Sequence, residues 1–145
     1  SMPADTFHTL LAATQPTGRI SPHAGKELEL LLSGEKPMAM FSQDANLDRA
    51  DVGDMAMRPY VENGRLIYRQ ITYPGTGVVR HYYAQPEEAW RIKAMHVLQK
   101  NYRRRHPFAS FDRHDYYRMV GFLLGYEKTD IDYFIEQIDH RLELP

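Results

Sequence analysis

Four side chains that can bind a metal ion or exchange protons lie within ten residues of one another. They are His106, Asp112, His114 and Asp115. Imidazole and carboxylate groups that converge on one ion serve metal-dependent hydrolases and nucleases. This spacing matches no recognised ligand motif, because the adjacent residues His114 and Asp115 point about 100° apart on a helix. We therefore interpret Asp112 as a helix cap and predict no metal and no cofactor. The sequence does not decide whether His81 or His96 joins this cluster in space.

A second candidate is a basic segment interleaved with aromatic residues. Between Arg91 and Arg118 the chain carries eight Lys and Arg residues against two Asp residues. Cations that contact phosphates and rings that stack on bases would suit RNA, and an acidic protein could use the same surface. The competing interpretation is a solvated helix end with its aromatic residues in the core. The predicted binding residues here are Arg103, Arg104, Arg105, Arg113, Tyr102 and Tyr117.

The C-terminal stretch has the opposite charge. From Gly125 to Pro145 there are six acidic residues against Lys128 and Arg141. The last two predicted helices resemble the helix-turn-helix pair of bacterial repressors, with small or apolar residues at Val120, Gly121, Leu124, Gly125, Tyr126, Ile131 and Phe134. That resemblance implies DNA binding by the last helix, but its acidic residues would repel phosphates. We predict a helical hairpin there, and the nearby opposite charges make a homo-oligomer conceivable.

Other motifs for chemistry are incomplete. Five polar residues between Asp44 and Asp54 resemble a calcium-binding loop, but Arg49 and Met55 replace the glycine and the glutamate that such a loop needs. The glycines around Thr76 are followed by no phosphate-binding lysine. The chain has no cysteine, which excludes disulfides, thiol nucleophiles and thiolate metal sites.

The composition is that of a folded domain. The chain has 145 residues, of which 43% are hydrophobic and 26% charged, with a net charge of −1. No apolar run approaches the ~18 residues that span a bilayer. We therefore expect no membrane partner and a cytoplasmic location, with an irregular leader at residues 1–25 and a single domain at residues 26–145.

The hydrophobic pattern predicts the α+β class: an N-terminal helix, a small antiparallel sheet of three to four strands, then three C-terminal helices. We expect the first helix at residues 26–32, with Gly34 just past its end. Strands are predicted at residues 38–41, 55–61, 65–73 and 78–84. Asn63-Gly64 and the run from Pro74 to Gly77 are predicted as hairpin turns. The C-terminal helices are predicted at residues 86–102, 113–124 and 130–141.

The apolar positions predict which helix faces are buried. On the first C-terminal helix the predicted stripe is Trp90, Ala94, Val97 and Leu98. On the second it is Tyr116, Met119, Val120, Leu123 and Leu124, and on the third Ile131, Phe134, Ile135, Ile138 and Leu142.

The sheet itself supplies a further candidate surface. Tyr82 and Tyr83 are adjacent on a strand, so their side chains point to opposite faces. If helices cover only one face, the other carries tyrosines alternating with arginines, which are residue types enriched in binding hot spots. This adds Arg69 and Arg80 to the predicted binding residues, with Arg65 beside them. An ordinary sheet face with amphipathic tyrosines is the alternative.

These observations favour a non-catalytic protein that binds another macromolecule through the basic-aromatic segment. The first alternative is a nucleic-acid-binding accessory factor that uses the same segment. The second is a small metal-dependent hydrolase or nuclease built on His106, Asp112, His114 and Asp115.

Overall fold

The computed structural model describes residues 21–104 and 112–143, with the backbone alone for Arg103 and Arg104. The helices are α1 (Glu27–Ser33), α2 (Arg58–Glu62), α3 (Trp90–Arg104), α4 (Arg113–Leu124) and α5 (Lys128–Glu143). The strands are β1 (Met38–Gln43), β2 (Ile67–Tyr73) and β3 (Val78–Ala84). The predicted α+β class is confirmed, with the three longest helices following the sheet. Within the described residues, no helix is long and apolar enough to cross a membrane.

The three strands form one antiparallel sheet in the order β1-β3-β2. Tyr83 pairs with Ala39 on one side and Tyr68 on the other, while Tyr82 pairs with Met40 and Arg69. The predicted turn from Pro74 to Gly77 joins β2 to β3. Because β3 lies in the centre, β1 and β2 are both edge strands.

The predicted strand at residues 55–61 is wrong. A 3₁₀ turn (Met55–Met57) leads directly into α2, where Pro59 occupies the first turn and needs no amide partner. The Asn63-Gly64 pair ends this helix instead of turning a hairpin: Asn63 is the C-cap, and Gly64 has a φ of 82°. A short apolar run between turn residues fits a strand and a helix equally well.

Side chains cover the sheet on both faces. The larger core lies between the sheet and α3, α4 and α5, and it includes Met38, Tyr82 and Met95. A smaller core on the other face joins Ala39 and Tyr83 to Leu31 on α1 and to the segment around α2. The sequence expectation of one uncovered aromatic face is therefore wrong at Tyr83, which is buried.

The buried side of α3 differs from the prediction. Of the predicted stripe, Leu98 is buried and Ala94 packs against the core, but Trp90 and Val97 are 50% and 56% exposed. The other residues of α3 that face the core are Ile92, Met95, Gln99 and Tyr102. On α4, Met119 is exposed while Tyr117 is buried, and near the end of α5 Leu142 is exposed. The rest of the predicted α4 stripe is buried, as are Phe134, Ile135 and Ile138 on α5.

Two glycines allow α4 to approach its neighbours closely. Gly125 ends α4 with a φ of 81°, and a side chain there would contact the ring of Pro37. At Gly121 an added Cβ would lie 2.6 Å from Cγ1 and Cδ1 of Ile131 on α5. The helical hairpin predicted for this region is therefore packed through a glycine contact.

Candidate interaction surface

The predicted cluster of metal ligands is divided between structural roles. Asp112 is the N-cap of α4 and forms a capping box with Asp115, and the backbone hydrogen bond from Asp115 lowers the pKa of Asp112. His114 Nε2 lies 2.8 Å from Asp139 on α5. His106 lies outside the described residues. Within the described ranges, no three His, Asp or Glu side chains form a group that could hold a metal ion.

The basic-aromatic segment is split between the core and the surface. Tyr102 and Tyr117 are both buried: Tyr102 stacks on Tyr116 with ring centroids 3.9 Å apart, and Tyr117 packs edge-on against Phe134. Arg113 donates to Asp139 Oδ1 at 2.6 Å. The two rings are therefore core residues, and Arg113 is engaged with α5. Arg105 and the side chains of Arg103 and Arg104 lie outside the described part.

The two sheet arginines lie on the face that the helices cover. Arg80 has no exposed surface; it approaches the ring of Tyr73 at 5.5 Å and donates to Met40 Sδ at 3.5 Å. Beside it, the hydroxyl groups of Tyr73 and Tyr82 both donate to Oε1 of Gln99. Arg80 is thus part of a polar cluster inside the core, not of a surface. Arg69, opposite Tyr82 on the edge strand β2, is exposed.

A second polar network lies on the other face of the sheet, around Asp54. Its carboxylate is fully buried and accepts two hydrogen bonds from Arg49, at 2.5 and 2.8 Å, and one from the Tyr83 hydroxyl at 2.5 Å. Burial alone would raise the pKa of Asp54, but the Arg49 and Tyr83 hydrogen bonds more than offset this and hold it below its usual value. Asp54 therefore stays ionised and ties the loop before α2 to β3.

His81 extends this network along the sheet. Its Nε2 lies 2.8 Å from Oε1 of Gln43, which can only accept, so Nε2 carries the proton. Nδ1 then accepts from the Tyr68 hydroxyl at 2.6 Å. Burial and the nearby Arg49 lower the pKa of His81, which favours this neutral form. Both ring nitrogens are bonded within the protein, so the network stabilises the sheet and leaves no free base.

Lys36 is the buried cation at the junction of α1, β1 and α4. Only 2% of its surface is exposed, and its Nζ donates to the carbonyl of Leu124 at 2.6 Å. The same Nζ lies 2.8 Å from Nδ1 of His23 and 4.5 Å from the Tyr126 ring, on which His23 stacks. Burial lowers the pKa of Lys36 from its usual 10.5 to about 7. Lys36 therefore has a structural role, since it binds the C-terminal end of α4.

The exposed aromatic residues form a separate cluster where α3 begins and α4 ends. The Arg91 guanidinium lies 4.8 Å from the Trp90 ring and 5.1 Å from the Phe122 ring. Trp90 is 50% exposed and Phe122 is 62% exposed, and Met119 lies one turn before Phe122 with 40% exposed. We name these four residues, Trp90, Arg91, Met119 and Phe122, the Trp90 surface.

The cation of this surface is held in place by the fold. Arg91 Nε donates to Glu88 at 2.7 Å, and Nη1 donates to the carbonyls of Phe122 and Leu123 at 2.9 and 3.3 Å. These carbonyls belong to the last turn of α4, where the helix dipole favours a cation. Trp90, Arg91 and Phe122 are thus arranged before any partner arrives, which lowers the entropy cost of binding.

The sequence prediction did not find this surface because it assigned Trp90 and Met119 to the core. The available signal was the Trp90-Arg91 pair close to Glu88, which fits a guanidinium fixed beside an aromatic ring. The position of the Arg91 guanidinium against Phe122 depends on the antiparallel packing of α3 and α4, and no local sequence pattern specifies that packing.

Comparisons with protein-family models, with curated protein sequences and with solved structures find no significant match for this chain.

Proposed function

We propose that this chain is an interaction domain that binds another protein through the Trp90 surface. The observation that supports this is the Arg91 guanidinium fixed between two exposed aromatic rings. Trp and Arg are enriched among the few residues that supply most of the binding energy in protein interfaces. Exposed apolar side chains that lie together on a folded domain also mark binding sites more often than isolated ones do.

A protein partner fits this surface better than a nucleic acid. Base stacking on the basic segment would need exposed rings, and two of its described rings, Tyr102 and Tyr117, are in the core and cannot serve. Part of the sequence's positive charge is matched within the fold, since Asp139 bonds to both Arg113 and His114. The partner best suited to the Trp90 surface presents apolar side chains to the two rings and a carboxylate near Arg91.

The test compares protein capture by the unaltered chain with capture by Trp90→Ala and Phe122→Ala. The immobilised chain is incubated with nuclease-treated lysate of the source cells, and bound proteins are quantified by mass spectrometry. Leu142→Ala is the matched control, because Leu142 is also a large apolar residue, 45% exposed, and lies on a different helix. Each surface variant should weaken binding of the partner about 30-fold, the equivalent of ~2 kcal/mol.

The proposal requires the same captured protein to be lost with both surface variants and kept with Leu142→Ala. Arg91→Lys should give an intermediate loss, because lysine keeps the charge but not the planar group between the rings. Circular dichroism checks that the variants fold, since exposed side chains contribute little to stability. If neither surface variant changes the set of captured proteins, the Trp90 surface is not the binding site.

A further inference from the structure

A shallow groove lies between the edge strand β2 and the start of α3. Its volume is about 260 Å³. The apolar part of the lining is Ile67, Ile71, Ala89 and Ile92, and the polar part is Arg69, Gln70, Lys93 and His96. Ile67 and Ile71 are partly exposed even though Ile71 packs against the main core. The strand and the helix thus each contribute both apolar side chains and a cation to the groove.

The strand that borders this groove is an edge strand of the sheet that the structure describes. In the order β1-β3-β2, β2 pairs with β3 and with no other described strand. Alternate residues of an antiparallel edge strand direct their backbone N–H and C=O groups away from the sheet, where another strand can bind them. Ile67 and Ile71 are four residues apart, about 13 Å along the strand. Since β2 has 7 residues, a segment that pairs along its whole length would be extended and about as long.

The charges of the lining define the kind of segment that fits. Arg69 and Lys93 are both exposed, and the described lining contains no Asp or Glu. Arg69 also lies along its own strand, with Nη1 donating to the carbonyl of Tyr68 at 2.7 Å. A segment with carboxylates facing these cations and apolar side chains facing the isoleucines complements both parts of the groove.

We propose that β2 and this groove bind an extended acidic peptide segment of another protein, which adds a fourth strand to the sheet. Backbone hydrogen bonds to β2 supply affinity, while the apolar lining and the two cations select the sequence. This site is independent of the Trp90 surface, since it involves a different side of α3 together with the sheet.

The probe is a capped heptapeptide, Thr-Val-Thr-Glu-Thr-Val-Thr, titrated into the full ¹⁵N-labelled chain and followed by NMR. Its second, fourth and sixth side chains share one face of the strand, as those of Ile67, Arg69 and Ile71 do. Binding should shift the amide signals of residues 67–73 and 89–96 and slow hydrogen exchange on β2. A peptide with lysine in place of glutamate should bind more weakly. The probe peptide N-methylated at alternate amides should also bind more weakly, because it cannot donate the backbone hydrogen bonds to β2.

The variant that tests the charges is the double substitution Arg69→Glu and Lys93→Glu. It should weaken binding at least about tenfold, since each reversal replaces an attraction by a repulsion. Lys100→Glu is the matched control, because Lys100 is exposed on the same helix but does not line the groove. Trp90→Ala should leave peptide affinity unchanged, so a failure here is distinguishable from a failure of the Trp90 surface.

Four outcomes would overturn the proposal. The first is a set of shifts that excludes β2, and the second is equal binding of the lysine peptide or the N-methylated peptide. The third is concentration-dependent self-association through β2, which would assign the edge to a second copy of this chain. The fourth is an oligouridylate that shifts the same amides more strongly, which would assign the groove to single-stranded nucleic acid.

Discussion

Replacing Lys36 with methionine should change the pH dependence of folding stability in a way that no exposed lysine does. Lys36 is 2% exposed, and burial lowers its pKa from 10.5 to about 7. Between these values the unfolded chain binds a proton that the folded chain releases. The free energy of unfolding of the unaltered protein therefore rises with pH across this window, by up to about 1.4 kcal/mol per pH unit.

The magnitude follows from the two pKa values. Between pH 7 and pH 9.5 the Lys36 contribution should rise by about 3 kcal/mol, and Lys36→Met cannot show this rise. The variant also loses the donor to the Leu124 carbonyl, a cost of about 1–3 kcal/mol that does not depend on pH in this range. Lys36→Met should therefore approach or exceed the unaltered protein in stability at pH 7 and fall clearly below it at pH 9.5.

The assay is urea unfolding, followed by circular dichroism, at half-unit steps from pH 7 to pH 9.5. The lower limit avoids the titration of His23, which contacts Lys36 directly. Burial and the charge of Lys36 lower the pKa of His23 to about 4. The tyrosines titrate in both proteins, so their contributions cancel in the difference. Lys100→Met, at an exposed position, should run parallel to the unaltered protein. A Lys36→Met curve that is also parallel would refute the reasoning.

Two further perturbations test the fold around the sheet and the helical hairpin. Asp54→Asn should cost about 2 kcal/mol in urea unfolding at pH 7, because it removes the charge that pairs with the partly exposed Arg49. The folded state holds the pKa of Asp54 below its usual value, so this contribution is present above pH ~4 and is lost in acid, where the difference between variant and unaltered protein should close. Gly121→Ala should lower stability by about 1–2 kcal/mol despite the better helix propensity of alanine, because the new Cβ meets Ile131. In thermal unfolding, the double variant Gly121→Ala, Ile131→Ala should lose less stability than the sum of the losses in the two single variants. An additive loss would argue against the contact.

The elements that the sequence predicted well are those with a local physical signal at each end. Gly34 ends α1 with a φ of 83°, as a C-cap glycine should, and the turn from Pro74 to Gly77 joins β2 and β3. Asp112 caps α4 through the side chain and backbone contacts that its position before an apolar run suggested. In each case the residues that determine the structure are neighbours in the chain.

The prediction failed where two local patterns were equally good. On α3, the stripe through Trp90 and Val97 and the stripe through Ile92 and Met95 both have helical spacing. Only the second faces the core, because the sheet and α4 determine the orientation of the helix. The α2 segment was assigned to the wrong class for a similar reason: a short apolar run without a decisive period fits a strand or a helix.

The polar networks lay beyond any local pattern. The Tyr83 hydroxyl and the Asp54 carboxylate are 29 residues apart, and Lys36 and the Leu124 carbonyl are 88 residues apart. No spacing rule links such pairs, so sequence reasoning considered Asp54 only as part of an incomplete calcium-binding loop. Arg80 was expected on a sheet face that no helix covers, and it lies in the core because Tyr82 and Gln99 provide a polar environment there.

The charge pattern of the sequence has a different meaning in the folded chain. The basic residues near the start of α4 and the acidic residues of α5 look like two opposed surfaces, yet Asp139 bonds to both Arg113 and His114 across the helix pair. Burial alone would raise the pKa of Asp139, but the hydrogen bonds from His114 and Arg113 more than offset this and lower it, so the carboxylate stays ionised. Part of the charge segregation in the sequence thus stabilises the α4–α5 hairpin. Arg69 and Lys93 lie elsewhere, beside partly exposed isoleucines, and no carboxylate among the described residues lines their groove. We therefore expect their charge to be available to a partner.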